Sequence, residues 1–257
     1  MAGDAREPVW VSNTDLELDG VTFRAQPMHR FKSTRELFCV WKRPDLARRY
    51  IEVCQQLQPK AIFELGIFQG GSAALMALLA RPDKLVAVDI SETRVAGLDE
   101  LIASRGLGDS VFAHYGIDQG DTATLHRIAD ETFGDQPLDL VVDDASHYLE
   151  LTEASFNALF PRLRPGGKYI VEDWAWAHYP IGSVRPDAEP LTTFVFEALM
   201  SIPSDAGYIS DIELDRDWAV ITRGPGEIDP ATYDIRTAYD DRGRNLVVAL
   251  RDRAGSA

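Results

Sequence analysis

The chain has 257 residues, 45% of them hydrophobic and 26% charged, a globular mix long enough to bury a large core in one domain or two. Acidic residues outnumber basic ones, 41 to 26, for a formal charge of −15, the opposite of the balance a nucleic-acid-binding surface needs, so that class of partner is set aside. No apolar run approaches the roughly 18 residues of a membrane span, the first eight residues lack a signal-peptide core, and the two cysteines, Cys39 and Cys54, fit no paired-ligand spacing, which makes reduced thiols in a cytoplasmic protein the expectation.

Residues 1–40 carry no strong period, and Val9–Val11 and Val21–Phe23 are candidate short strands. From Arg24 to Lys60 nine basic residues stand against three acidic ones. They read either as a solvated face or, through Arg24, Arg30, Lys32 or Arg35, as contacts to an anionic group. Pro44 and Asp45 open a helix whose Leu46, Tyr50, Ile51, Cys54 and Leu57 share one face, and Pro59 stops it. Then apolar strands alternate with helices: strand Ala61–Gly66, helix Ser72–Leu79, strand Leu85–Ile90, helix Thr93–Ser104, strand Val111–Tyr115, helix Ala123–Phe133, strand Leu138–Asp143, helix Leu149–Leu163 and strand Lys168–Glu172. Continuous apolar strands are buried on both faces, so the expected architecture is a doubly wound α/β sheet with helices on either side. Tyr208–Leu214 and Trp218–Thr222 flank the link Asp215–Asp217 and read as a closing β-hairpin. With no internal repeat, the organisation expected is an N-terminal extension over 1–44, one domain over 45–223 and a C-terminal extension over 224–257.

The first strand runs into Glu64-Leu-Gly66-Ile-Phe-Gln-Gly70-Gly-Ser72. A glycine turn between strand and helix lets a ligand approach the backbone, and the helix N-terminus suits an anionic group. The gap of four between Gly66 and Gly70 departs from the dinucleotide fingerprint, which disfavours the rival reading as a nicotinamide-dependent dehydrogenase. Asp89, 23 residues after Gly66, stands where a carboxylate accepts hydrogen bonds from ribose hydroxyls. Asp118 or Gln119, after the third strand, is placed for the adenine. Each acid alone is equally a turn residue at a strand end; their register with the glycine turn favours a cofactor site.

Two acidic doublets follow. The fourth strand ends in Asp143-Asp144-Ala-Ser-His147 and the fifth in Glu172-Asp173. Carboxylates crowded on one sheet rim repel one another unless a cation sits among them, and Mg²⁺ takes a few carboxylates while keeping positions open. The competing reading has Asp143 and Asp144 capping the next helix. His147, three residues past Asp144, is a candidate proton acceptor; Tyr148 and His178 stand in reserve, while His29, His114 and His126 read as structural. Trp174, Trp176 and Tyr179 either wall a substrate pocket or pack in the core.

These motifs resemble the class I S-adenosylmethionine-dependent methyltransferases. The resemblance covers about residues 45–223: the Phe-Glu-Leu-Gly66 turn through Gly70 and Ser72, the strand-end Asp89, the Arg164-Pro-Gly-Gly167 turn and the closing hairpin. It implies a Rossmann-like methyltransferase fold, a mostly parallel seven-stranded sheet whose C-terminal hairpin is antiparallel, with Glu64, Gly66, Gly70, Ser72, Asp89, Asp118 and Gln119 at the cofactor. Asp-Asp-Ala-Ser-His147 and Tyr-Ile-Val-Glu-Asp173 are similar, more narrowly, to the metal-dependent macrolide sugar O-methyltransferases and the cephalosporin hydroxylase-like group. That similarity implies Asp144, Glu172 and Asp173 as Mg²⁺ ligands and His147 as the base. The implied reaction moves a methyl group from S-adenosylmethionine to a small-molecule hydroxyl, first a sugar diol of a natural product and second a catechol-like phenol. The alternative is a hydroxylase-associated or non-catalytic relative of the same fold. Related enzymes assemble, so a homo-oligomer is expected, with neither nucleic acid nor membrane as partner.

Overall fold

The computed structural model describes residues 7–27, 31–178 and 189–240, with Asn245, Val248 and Ala249. The expectations for His29, Arg30, Tyr179 and most of the stretch 246–250 fall outside the described residues. Seven strands form one sheet in the order β10-β11-β9-β8-β5-β6-β7, and four earlier strands form another in the order β1-β2-β3-β4. The larger sheet is the mostly parallel Rossmann-like sheet expected from the sequence. The chain divides into two compact units, Met1–Ile117 and Asp118–Ala257.

The first unit begins with β1 (Val9–Trp10), β2 (Asp15–Leu18), β3 (Val21–Arg24) and β4 (Leu37–Cys39). β2 and β3 join through Asp19-Gly20, both at positive φ, as a two-residue hairpin turn requires. The sequence suggested only two of these strands, because each is too short to show a period. The basic stretch is largely paired: Arg24 forms a bidentate bridge to Asp15 at 2.8 and 2.9 Å, and Arg35 pairs with Glu36. These pairs support the solvated-face reading and leave the anionic-contact reading without Arg24 and Arg35.

Helix α1 (Pro44–Leu57) carries proline in its first turn, buries Leu46, Ala47, Tyr50, Ile51 and Cys54, and ends where Gln58 adopts a left-handed conformation. Burial pushes the Cys54 thiol up to about 12, so it stays protonated, and neither cysteine forms a disulfide. Strands β5 (Ala61–Leu65), β6 (Lys84–Asp89) and β7 (Val111–Tyr115) pair in parallel. They therefore bring the chain ends after Leu65, Asp89 and Tyr115 to one rim. Helix α2 (Gly71–Ala80) is apolar nearly all round and buried accordingly. Helix α3 (Ala96–Ser104) starts three residues later than the sequence suggests. The Tyr115 hydroxyl accepts from the Val95 N–H at 3.2 Å, and Ser91 Oγ accepts from the Thr93 N–H at 3.1 Å, which holds 93–95 in a loop.

Gly71 shows how closely these parts approach. A Cβ there would lie 2.1 Å from the Cys39 carbonyl oxygen and 2.7 Å from Val40 Cα, both backbone atoms that cannot swing aside. Gly71→Ala is therefore expected to destabilise the protein by about 1–3 kcal/mol or more. Its thermal midpoint should fall by several degrees; an unchanged midpoint would show that the backbone yields without cost.

The second unit contains α4 (Thr122–Phe133), β8 (Leu138–Asp143), α5 (Leu149–Leu159), β9 (Leu163–Glu172), α6 (Thr192–Ser201), β10 (Ile209–Leu214) and β11 (Trp218–Arg223). β8 and β9 are parallel, β11 runs antiparallel to β9, and β10 antiparallel to β11, which is the closing hairpin read from the sequence. Helix α5 ends at Leu159 rather than Leu163 because Pro161 lacks an N–H, and a 3-10 turn over Phe160–Arg162 follows. The Arg164-Pro-Gly-Gly167 segment lies inside β9 as a bulge: pairing jumps from Leu138↔Leu163 to Leu140↔Lys168. Helix α6 was not expected. Its Thr, Phe and Val residues favour strands locally, but Phe194, Val195 and Ala198 face inward on a helical period. Phe156 centres the core of this unit, with Phe160, Tyr169 and Phe194 rings at 4.4, 4.8 and 4.9 Å. No helix among the described residues is long and apolar enough to cross a membrane.

Candidate functional site

In the first unit the glycine turn is built around Asp89. Its Oδ2 accepts hydrogen bonds from the Ile67 and Phe68 N–H groups, both at 2.8 Å, and its Oδ1 accepts from Ser91 N–H at 2.8 Å. The carboxylate at the end of β6 thus fixes the turn after β5, and Gly70, at φ +73°, starts α2 in a conformation that disfavours side chains. Two turn amides expected to face a ligand instead face Asp89. A carboxylate offers about four acceptor directions, so Asp89 keeps capacity for hydroxyl donors. Phe68 and Ile90, 56% and 71% exposed, leave apolar surface on the residues flanking that carboxylate. Sequence reasoning passed over both, since exposure of a lone apolar residue has no sequence signature. Ser72 is half-buried in the first turn of α2, while Glu64 is buried completely.

Asp89→Asn is expected to weaken cofactor binding. An amide in place of the carboxylate puts an NH₂ against at least one N–H donor, and hydrogen bonds to charged groups are worth about 1.5–3 kcal/mol. The expected rise in the dissociation constant for S-adenosylhomocysteine is roughly 10- to 100-fold. Calorimetric titration measures it, and wild-type affinity would remove Asp89 from the site.

In the second unit Asp118 is exposed, and its Oδ1 accepts from the Gly120 N–H at 2.7 Å. Gln119 turns the other way. Its side chain is buried and engaged with Asp143, Ser155 and Ser146, so the expected contact to adenine is taken over by contacts inside the protein.

Because β8 and β9 are parallel and Asp143 pairs with Val171, the acidic doublets share one rim. Asp144, His147 and Asp173 each offer one ligand atom there, all within 4.8 Å of one another. His147 Nε2 stands 3.9 Å from Asp144 Oδ1 and 3.9 Å from Asp173 Oδ2. His147 and Asp173 both adopt left-handed φ, +58° and +53°, conformations that cost non-glycine residues free energy and persist only where surroundings hold them. For Asp173 the hold is visible: its N–H donates to the Asp217 carbonyl at 2.7 Å, and Trp174 Nε1 donates to the Asp215 carbonyl at 2.7 Å. The β10–β11 link therefore clamps the end of β9. The Trp176 ring meets the His147 imidazole edge to face at 5.5 Å, which puts Trp176 at the site rather than in the core.

Glu172, expected beside Asp144 and Asp173, is 3% exposed and is not one of the three clustered residues. The capping alternative fails: α5 is preceded by Tyr148 with no side-chain cap. Asp143 is buried, and burial pushes its carboxyl up to about 7. It accepts from Ser155 Oγ at 3.0 Å, and the Tyr169 hydroxyl lies at 3.4 Å. Ser155 and Tyr169 carried no sequence signal; a serine inside a helix and a tyrosine inside an apolar strand read as packing. His178 Nε2 bonds Thr192 Oγ1.

Two carboxylates and an imidazole, part-exposed at 30%, 48% and 17%, form a donor set that suits a divalent cation with open positions for water or substrate. The residues present fit such an ion.

The seven-stranded sheet is Rossmann-like, and residues 63–174 match a family model described as Methyltransferase domain. The chain resembles the macrolide and polyketide sugar O-methyltransferases. It is 36% identical over 132 residues to the mycinamicin VI 2''-O-methyltransferase of Micromonospora griseorubida, covering 50% of this chain and 31% of that one. It is 33% identical over 199 residues to a tetracenomycin-C rhamnosyl 3'-O-methyltransferase of Streptomyces olivaceus, covering 73% and 46%. Among solved structures, MycE methyltransferase with Mg, SAH and mycinamycin VI matches with a TM-score of 0.53 and 25% identity, over 75% of this chain and 52% of that one. The chain spans about half the length or less of these relatives.

Proposed function

We propose that this chain is a Mg²⁺-dependent O-methyltransferase acting on a hydroxyl of a small molecule, a sugar of a natural product before all others. The observation that carries the proposal is the meeting of Asp144, His147 and Asp173 on one sheet rim, supported by relatives named as sugar O-methyltransferases. When bound, S-adenosylmethionine supplies the electrophilic methyl group and Mg²⁺ the charge that makes a nearby hydroxyl more acidic. Asp89 accepts hydrogen bonds from the ribose, Gly66, Gly70 and Ser72 let the cofactor approach the backbone, and Phe68 and Ile90 exclude water from its apolar parts. Asp144 and Asp173 hold the ion, with Glu172 as the third carboxylate implied by the family. Nε2 of His147 would take the proton of the acceptor hydroxyl, leaving its oxygen free to receive the methyl group that the cofactor supplies. Trp176 keeps the imidazole in place and offers a flat wall to a sugar face.

The same reading assigns residues 1–44 to substrate choice and 45–223 to the catalytic domain. It places the protein in the cytoplasm, in keeping with two cysteines that form no disulfide, as a homo-oligomer without nucleic-acid or membrane partners. The test is methyl transfer from labelled S-adenosylmethionine to a panel of glycosylated and catechol-like acceptors, with Mg²⁺ and with chelator. Transfer to a sugar hydroxyl that chelator abolishes is the expected result. Equal transfer in chelator would overturn the metal requirement, and transfer to catechols alone would overturn the sugar assignment.

A further inference from the structure

We propose that Gln119 is the positioning residue of the loop 144–147, setting the metal-site geometry rather than reading the cofactor; this rests on the metal reading above. The Gln119 side chain is 5% exposed. Its Nε2 donates to Asp143 Oδ1 and Oδ2 at 2.8 and 2.7 Å and lies 3.0 Å from Ser155 Oγ. Its Oε1 accepts from the Ser146 hydroxyl at 2.7 Å and the Ser146 N–H at 3.2 Å. One amide group therefore grips the chain on both sides of Asp144, at the residue before it and at the residue before His147.

The far ends of this network are rigid. Asp143 closes β8, Ser155 lies in the middle of α5, and the Tyr169 hydroxyl reaches Asp143 and Ser155 from β9, at 3.4 Å each. The near end is the short loop that carries Asp144 and His147. That loop holds His147 at φ +58°, a conformation a free loop would leave. A planar amide with donors on one side and an acceptor on the other fixes both the distance and the angle between its partners, which a single hydroxyl cannot do. Outer-shell hydrogen bonds of this kind commonly set metal affinity. The neighbouring Asp118 side chain is exposed, so adjacent residues divide the work: one faces outward, the other holds the metal loop from behind.

The experiment titrates the full chain calorimetrically with Mg²⁺ alone and, separately, with S-adenosylhomocysteine. The proteins are wild type, Gln119→Ala, Ser146→Ala and Ser155→Ala, with thermal midpoints for each. Gln119→Ala and Ser146→Ala are expected to weaken Mg²⁺ roughly 10- to 100-fold and to leave S-adenosylhomocysteine binding unchanged. Amide hydrogen exchange at Ser146 should rise in the metal-free Gln119→Ala protein. Ser155→Ala, which removes hydrogen bonds to Asp143 and Gln119 but none to the loop itself, should lower the midpoint and weaken Mg²⁺ less than Gln119→Ala does. If Gln119→Ala does not fold, Ser146→Ala decides alone, since it removes one half-buried hydroxyl. Wild-type Mg²⁺ affinity in both loop variants would overturn the proposal, as would a loss confined to S-adenosylhomocysteine, which would make Gln119 a cofactor contact. A wild-type protein that binds no Mg²⁺ overturns the metal reading itself, a different result from variants that bind it as wild type does.

Discussion

Asp144→Ala is expected to bind S-adenosylmethionine as wild type does and to lose measurable Mg²⁺ binding together with metal-dependent methyl transfer. Asp144 is one of the three residues that gather ligand atoms within 4.8 Å, and removing it leaves Asp173, part-exposed at 48%, and the buried Glu172, too few carboxylates to hold a well-hydrated ion. The loss of affinity should exceed the roughly 10- to 100-fold that removal of an outer-shell partner causes. A metal supplies several kcal/mol of charge stabilisation, so kcat/KM should fall by about 10³-fold or more at 1.4 kcal/mol per tenfold. Calorimetry with each ligand separates the effects. If Asp144→Ala also lost the cofactor, the side chain would be supporting the fold, and the metal assignment would fail.

His147→Ala is the second large effect, and it distinguishes a base from a ligand. His147 Nε2 lies 3.9 Å from an oxygen of each acidic partner, so geometry alone admits the imidazole as a third ligand in place of the buried Glu172. As general base its removal should lower kcat by about 10²- to 10⁴-fold while Mg²⁺ affinity stays at the wild-type value. Added imidazole should restore part of the rate, since the space it left lies beside Trp176. A Mg²⁺ dissociation constant raised as far as in Asp144→Ala would instead make His147 a ligand and return the role of base to another group. Glu172→Gln complements the pair: weakened Mg²⁺ would bring Glu172 into the coordination sphere despite its burial.

The strand–helix alternation from Ala61 to Glu172 was legible because continuous apolar strands and amphipathic or wholly apolar helices are local patterns, and burial in a parallel sheet demands them. β7 and β8 begin and end where the sequence puts them, bounded by glycine and charged turns. The N-terminal sheet was only half legible: strands of two to four residues draw their stability from partners distant in sequence. α6 escaped notice for a related reason, its local propensity opposing the helix that packing imposes.

The candidate site divides along the same line. Asp89 in the first unit, and Asp144 and Asp173 in the second, stand at the ends of strands that pair in parallel within each unit, with His147 in the loop after Asp144, so the sequence by itself determined the alternation of strands and helices and the residues at the strand ends. What only the tertiary structure decided is which atoms meet. It turned Asp89 onto the Ile67 and Phe68 amides, buried Glu64 and Glu172, set His147 between two carboxylates and pointed Gln119 inward to Asp143 and Ser146. The reason is physical. A strand end places a side chain to within a few ångströms, whereas its direction follows from hydrogen-bond partners on other segments, and a glutamine that faces a ligand is written no differently from one that holds a loop.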